Sequence, residues 1–199
     1  MTRRSGWVFG LLVAVALAVT AFFVGRRDSG VALATARQGD GFQLIVDLSD
    51  RRLHVIENGQ EVQSFPVAVG RPSYPTPRGR FAIRHITWNP SWVPPDSRWA
   101  RHKSAKAPGQ KGNPMGNVKM FFSDGGFYIH GTREYDSLGE PESHGCVRMA
   151  NGAAVQLAQE VMAHGGKPKP ESWFQSVLDH FRTERQVYLS HPVPVIIRG

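Results

Sequence analysis

The chain's one cysteine, Cys146, stands in the run Ser143-His144-Gly145-Cys146-Val147-Arg148-Met149, and His130 stands about fifteen residues earlier in Tyr128-Ile129-His130-Gly131-Thr132. Acyl transfer by a thiol needs a base to take its proton, donors for the developing oxyanion and room for the acyl group. Cys146 is the strongest nucleophile in the chain near neutral pH, and a neighbouring imidazole would lower its pKa by stabilising the thiolate. His130 closes an alternating run that reads as a strand, a rigid base from which an imidazole can reach a sulfur on the following loop. Gly145 lacks a Cβ, which predicts close approach of a substrate carbonyl to the backbone N–H groups of Gly145 and Cys146, the expected oxyanion hole.

Arg148 lies two residues past the nucleophile, on the same side of an extended segment, where a guanidinium could bind a carboxylate. A structural ion pair is an equal reading for an arginine in this position. His144 is either a second proton-transfer group or a structural histidine, with the structural role favoured. Two imidazoles and a thiolate also match the ligand types of a catalytic zinc, so His130, His144 and Cys146 carry a minor metal reading. The expectation is nonetheless a metal-free and cofactor-free site.

Composition narrows the setting. The chain has 199 residues, 41% of them hydrophobic, with abundant Gly and Pro in no fixed period, as expected for a loop-rich folded protein. A formal charge of +8 favours an anionic partner. The basic residues are scattered in twos and threes without interleaved aromatics, which argues against nucleic acid. A single cysteine rules out an internal disulfide and a multi-thiolate metal site.

Arg3 and Arg4 precede an apolar run from Trp7 to Val24, and Arg26 and Arg27 follow it. A helix over those residues would be ~27 Å long, enough to span a bilayer core. Residues 1–25 are therefore expected to be a transmembrane anchor, N-in, with the remainder exported. Ala16-Leu17-Ala18 offers a cleavage site for the competing signal-peptide reading, in which the protein is released to the periplasm. Residues 26–40 read as a tether and residues 41–199 as one catalytic domain.

The elements that must hold the two reactive residues are mostly strands. Phe42 to Leu48 alternates with period two, and Leu53 to Ile56 and Glu61 to Val69 flank Asn58-Gly59, a hairpin signature. Pro66 puts the returning strand at an edge or bulge. A turn cluster, Thr76-Pro77-Arg78-Gly79, feeds a strand from Phe81 to Thr87, and an irregular loop from Trp88 to Pro95 follows, its tryptophans fitted either to a groove or to the core. Val118 to Phe122 and Phe127 to His130 form another pair around Asp124-Gly125-Gly126. Asn151 is expected to cap a helix that stops at Gly165. Ser172 with Gln175 suggests a capping box for a second helix, and two short strands, Val187 to Leu189 and Val193 to Ile197, close the chain.

These motifs resemble the L,D-transpeptidases with the YkuD-type catalytic domain. The resemblance rests on His130-Gly131-Thr132, on Ser143-His144-Gly145-Cys146-Val147-Arg148, on Thr76-Pro77-Arg78-Gly79-Arg80-Phe81 and on Asn113-Pro114-Met115-Gly116, the last typical of a proteobacterial branch. It implies a mainly β fold, a sandwich of mixed sheets with one or two flanking helices. It also implies a thioester mechanism in which Cys146 cleaves the bond between the third residue and the terminal D-alanine of a peptidoglycan stem peptide. The acyl group then passes to an amine of another stem or of a protein, and carbapenems would acylate the same cysteine. By the same resemblance His130 is the base, oriented by a carbonyl near Gly131, and Ser143, His144, Gly145, Arg148 and Thr132 surround the site. The chain departs from the simple pattern by an insertion at about 166–186. Two alternatives stand beside transpeptidation: an L,D-carboxypeptidase that uses water as acceptor, and a non-catalytic wall-binding module held at the membrane.

Overall fold

Alternating apolar residues set the strands, as expected, and their pairing closes them into a single ring. The computed structural model describes residues 41–199. The expected anchor and tether therefore lie outside the described residues, among which no helix is long and apolar enough to cross a membrane. Strands β1 (Gln43–Asp47), β2 (Arg52–Glu57) and β3 (Gln60–Ala68) form a meander. Asn58 and Gly59 turn the β2–β3 hairpin with φ of 52° and 79°, the left-handed pair that a two-residue turn requires. Beyond them come β4 (Gly79–Trp88), β5 (Val118–Ser123), β6 (Phe127–Thr132), β7 (Val147–Ala150) and β8 (Arg185–Arg198).

The strand order is β1-β2-β3-β7-β6-β5-β4-β8, with β8 returning to β1 to close a barrel. This corrects the expected sandwich. Alternation reports that one face of each strand is buried and carries no information on whether the outer edges meet. They meet here because β8 is one 14-residue strand rather than two short ones. Its first part runs antiparallel to β4 from Trp88↔Arg185 to His85↔Tyr188, and its last part runs parallel to β1 from Leu44↔Val195 to Asp47↔Arg198. Between these parts a bulge lets Ser190 and His191 donate their N–H groups to the Gly165 carbonyl at 2.9 and 3.1 Å. Pro66 occupies the stretch of β3 that has only β2 as neighbour, where its missing N–H costs nothing.

Two helices complete the core. In α1 (Asn151–His164), Ala154, Leu157, Ala158, Val161 and Met162 are buried among the strand residues Leu44, Ile86, Met120, Ile129 and Val147. Gly165 ends the helix and Gly166, at φ 73°, turns the chain, with N–H bonds from Gly166 to Ala163 and from Lys167 to Met162. The N-cap is Ala150, not Asn151. The Asn151 side chain leaves the helix to accept the Asn117 N–H at 2.7 Å and to donate to Asn117 Oδ1 at 2.6 Å. Helix α2 (Glu171–Asp179) begins after Pro170, so Ser172 lies inside it and no capping box forms. Phe174 packs against Trp88, which is the fully buried last residue of β4. Trp92 is buried beyond it and lines the cleft described next, so the two tryptophans divide between the expected roles.

Candidate active site

Parallel pairing of β6 with β7 sets Ile129 opposite Val147 and His130 opposite Arg148. Ile129, Val147 and Met149 face the core, so Tyr128, His130 and Arg148 point outward from the barrel, and Cys146 is presented immediately before β7. Cys146 and His130 line the same cleft, of about 630 Å³, together with Tyr128, His144 and Arg148. Its far wall comes from the loop 89–117, through Trp92, Trp99 and Met115.

The cysteine loop is braced by Ser143, which is fully buried. The Ser143 hydroxyl donates to the Cys146 carbonyl at 2.5 Å and accepts the Gly145 N–H at 3.0 Å. The Ser143 N–H donates to Val69, and the Ser143 carbonyl accepts from Arg71, which splices the loop to the end of the β3 meander. Two expectations for Gly145 change as a result. Its N–H is engaged by Ser143, so the Cys146 amide is the better candidate for an oxyanion donor. The missing Cβ is demanded by the protein itself, because φ is 109° and a Cβ would stand 2.6 Å from the Phe127 ring.

His130 is only 2% exposed, and its Nδ1 lies 2.9 Å from the Gly131 carbonyl. A carbonyl can only accept, so Nδ1 carries the proton and the Nε2 lone pair is left free. Gly131 thus enters the site through its carbonyl, which aims the imidazole. That carbonyl is set in turn by the Asn113-Pro114-Met115-Gly116 turn. Asn113 Oδ1 accepts the Met115 N–H at 3.0 Å, its Nδ2 donates to Pro90 at 2.9 Å, and Gly116, at φ 63°, leaves no room for a Cβ beside Gly131.

Burial dominates the electrostatics of the pair. It lowers the His130 pKa from 6.5 to about 4, assisted by the nearby charges of Arg148 and Lys119 and opposed by the Gly131 bond. Burial likewise raises the Cys146 thiol, against the stabilising bonds from Tyr128 and the charges of Arg148 and Lys119. At neutral pH both groups are therefore neutral, an imidazole and a thiol that line one cleft. The residue types alone predict a thiol pKa lowered by an imidazole; in this cleft desolvation raises it instead, and the groups that oppose the rise are Tyr128, Arg148 and Lys119. Such a pair can transfer its proton as the sulfur attacks, without storing a resting thiolate.

The remaining expected residues separate. Arg148 forms an ion pair with Glu134 at 3.0 Å, and Glu134 is 69% exposed, so the guanidinium is tethered at the rim while still lining the cleft. His144 is held by stacking, not by hydrogen bonds: Trp99 covers it at 3.8 Å and 18°, and Tyr74 lies at 5.0 Å. Its pKa falls, through burial first and then Arg71, Arg148 and Lys103. Thr132 is outside the cleft, where its Oγ1 accepts the Glu134 N–H at 3.0 Å and shapes the turn that carries the Arg148 partner. Among the described residues no three of His, Cys, Asp and Glu converge closely enough to hold a metal ion.

Two neighbours were missed from sequence. Tyr128, which lines the cleft with Cys146 and helps to hold the thiol pKa down, sits two residues before His130, and period two alone puts it on the same face. Lys119 pairs with His130 across β5–β6, its ammonium 5.0 Å from the Phe121 ring and 5.6 Å from the Tyr128 ring. Only the register reveals that neighbour.

Comparison with known proteins identifies this architecture. The family model for the YkuD L,D-transpeptidase catalytic domain matches residues 41–195. A Bacillus licheniformis protein named as the L,D-transpeptidase YkuD is 31% identical over 120 residues, which is 60% of either chain. A Fuscovulum blasticum protein named as an L,D-transpeptidase in the ATP synthase subunits region is 29% identical over 178 residues, covering 80% of this chain and 92% of that one. The catalytic domain of the Enterococcus faecium L,D-transpeptidase, solved by NMR, shares the fold at a TM-score of 0.50 and 15% identity, over 81% of this chain and 99% of that one.

Proposed function

The chain belongs to the YkuD family of L,D-transpeptidase catalytic domains, and on that premise we propose that it is a cysteine acyltransferase acting on peptidoglycan stem peptides, with Cys146 as nucleophile and His130 as base. The observation that carries the reading is the convergence of the only sulfhydryl and a pre-oriented neutral imidazole in one cleft. As Sγ attacks the carbonyl carbon of the bond before the terminal D-alanine, Nε2 of His130 takes the thiol proton. The oxyanion is met by the Cys146 N–H, with the Tyr128 phenol beside the sulfur as a second donor. Collapse expels the D-alanine amine, which leaves with the proton from His130. An imidazolium is disfavoured in so buried a place by about 3 kcal/mol, and this drives the delivery. An incoming amine then gives its proton to His130 as it attacks the thioester carbon, the C–S bond breaks, and the leaving sulfur takes that proton from His130 to restore the thiol.

Arg148 and the lysines of the 89–117 loop give the cleft a positive rim suited to the carboxylates of a stem peptide. The reaction places the domain on the extracytoplasmic side of the envelope, and the apolar run from Trp7 to Val24 serves as its inner-membrane anchor. Alkaline carbonate washing of membranes should leave the full chain in the pellet; recovery in the wash would reject the anchor.

The enzymatic test is intact-mass measurement after carbapenem exposure, followed by incubation with a tetrapeptide stem and an amine acceptor. A stoichiometric adduct mapping to Cys146, absent in Cys146→Ala, and a cross-linked product are expected. Bare tripeptide as sole product would make the enzyme an L,D-carboxypeptidase. No adduct together with undiminished binding of Cys146→Ala to sacculi would make it a wall-binding module.

A further inference from the structure

Outside the cleft, three polar side chains from three separate elements meet. Glu184, which follows α2, accepts with one carboxylate oxygen from both the Ser91 N–H at 2.7 Å and the Ser91 hydroxyl at 2.8 Å. Lys119 of β5 reaches the Ser91 carbonyl at 3.5 Å, and its ammonium and the Glu184 carboxylate stabilise each other's charged forms. Ser91 stands at the root of the loop 89–117, one residue before Trp92. The next residues of that loop supply the cleft's aromatic wall, Trp92 and Trp99, and the Trp99 ring covers His144.

The same segment holds the loop at two further points. Asn89 donates its side-chain amide to the Val177 carbonyl at 2.7 Å, at the end of α2. Phe181 packs so closely on Gly109 that a Cβ there would collide with its ring. Inside the loop, Trp92 and Lys106 exchange backbone hydrogen bonds of 2.9 and 2.8 Å, so fixing Ser91 also fixes the lysine-bearing return of the loop. No residue of 166–186 lines the cleft. The segment therefore touches the loop that walls the cleft, and Lys119 links that contact to the strand paired with His130.

We infer that Glu184, with Ser91 and Lys119, is a positioning cluster through which the 166–186 insertion holds the aromatic wall of the cleft over Cys146 and so sets the affinity for the acyl-donor peptide. The affinity half rests on the transpeptidase reading; the anchoring half does not. A charged carboxylate that receives two donors from one residue holds it more firmly than a neutral acceptor, and loops with few other fixings are the first parts of a fold to open.

The test is hydrogen–deuterium exchange on the full chain and on Glu184→Ala and Glu184→Gln, combined with donor kinetics. In Glu184→Ala, peptides carrying the Trp92 and Lys106 amides should exchange about tenfold faster, while peptides of β5 and β6 remain unchanged. Glu184→Gln keeps an acceptor for Ser91 and should recover most of the protection. With a tetrapeptide donor, Glu184→Ala should raise KM about five- to tenfold and change kcat by less, the excess of the KM effect being lost ground-state binding. Unchanged loop exchange, or equal acceleration everywhere in the protein, overturns the anchoring; a loosened loop with unaltered KM overturns the role in affinity. If the wild-type protein turns over no donor, the transpeptidase reading fails, while the exchange comparison, which needs no substrate, still decides the anchoring.

Discussion

Acid should weaken this fold through His130 before it weakens it through ordinary surface groups. In the native state burial holds the imidazole neutral down to about 4, whereas the unfolded chain accepts a proton at the usual 6.5. As pH falls through 6.5, the unfolded state therefore binds a proton that the native state cannot, and the native state loses ground. Linkage makes the loss about 2 kcal/mol at about pH 5 and about 3 kcal/mol at about pH 4, relative to neutral solution. The perturbation that isolates it is His130→Gln, which retains a donor for the Gly131 carbonyl and has no charge to gain. Urea unfolding of both proteins at about pH 8, 6.5 and 5 gives the two stability profiles. His85 and His144, whose pKa values are also lowered by burial, titrate in both proteins and cancel in the difference. Wild type should lose about 2 kcal/mol more than the variant between the extremes. Parallel profiles would mean that His130 exchanges protons as freely in the native state as in the unfolded one, and the neutral buried base would be refuted. The same displacement should carry the acid limb of kcat/KM below about pH 5, well under the limb of a solvent-exposed imidazole.

Two substitutions probe the supports of the pair. Gly145→Ala places a Cβ 2.6 Å from the Phe127 ring at a φ of 109°, and thermal unfolding should report a loss of about 1–3 kcal/mol. Adding Phe127→Leu should return only part of it, because the backbone strain remains; complete recovery would assign the whole cost to the ring. Asn151→Ala orphans the Asn117 N–H beside the turn that sets Gly131, which should cost about 1–3 kcal/mol and slow carbapenem acylation of Cys146. Asn151→Asp keeps the acceptor for the Asn117 N–H but loses the donor to Asn117 Oδ1, so it should recover part of both, and equal damage from the two variants would discount the backbone hydrogen bond.

Much of the fold was legible because its strands bury one face. Period two in Phe42 to Leu48 and in Val118 to Phe122 gave the strands, and Asn58-Gly59 gave the hairpin with its left-handed turn. What stayed hidden depends on partners distant in sequence. Barrel closure rests on β8 finding β1, a pairing between residues 44–47 and 195–198 that no local pattern encodes. The helix starts were misread for the same reason: Asn151 has the chemistry of a cap, but Asn117 competes for its side chain and wins.

The site divides along the same line. The proposed nucleophile and base, Cys146 and His130, are legible because those roles demand particular residue types, and Tyr128 follows once the strand through His130 is recognised. Their protonation states are not legible, because residue type sets only the starting pKa while burial decides the outcome. Residue types alone argue for a thiol pKa lowered by its neighbour; in the folded cleft burial raises the thiol instead and lowers the imidazole. The loop 89–117 walls the outer face of the barrel here, and His130 is left almost without solvent contact, so its charged form goes unstabilised. The roof itself is held by Glu184 and Asn89, which lie far from Cys146 in sequence and outside the cleft. Reactivity in this protein is therefore set jointly by a short local motif and by a distant segment that determines how dry the motif becomes. Loosening that segment should raise water access and return both pKa values toward their ordinary ranges, so that the thiol of Glu184→Ala should be alkylated by iodoacetamide faster than that of wild type at about pH 8. An unchanged alkylation rate beside a demonstrably loosened loop would separate the dryness of the cleft from its roof.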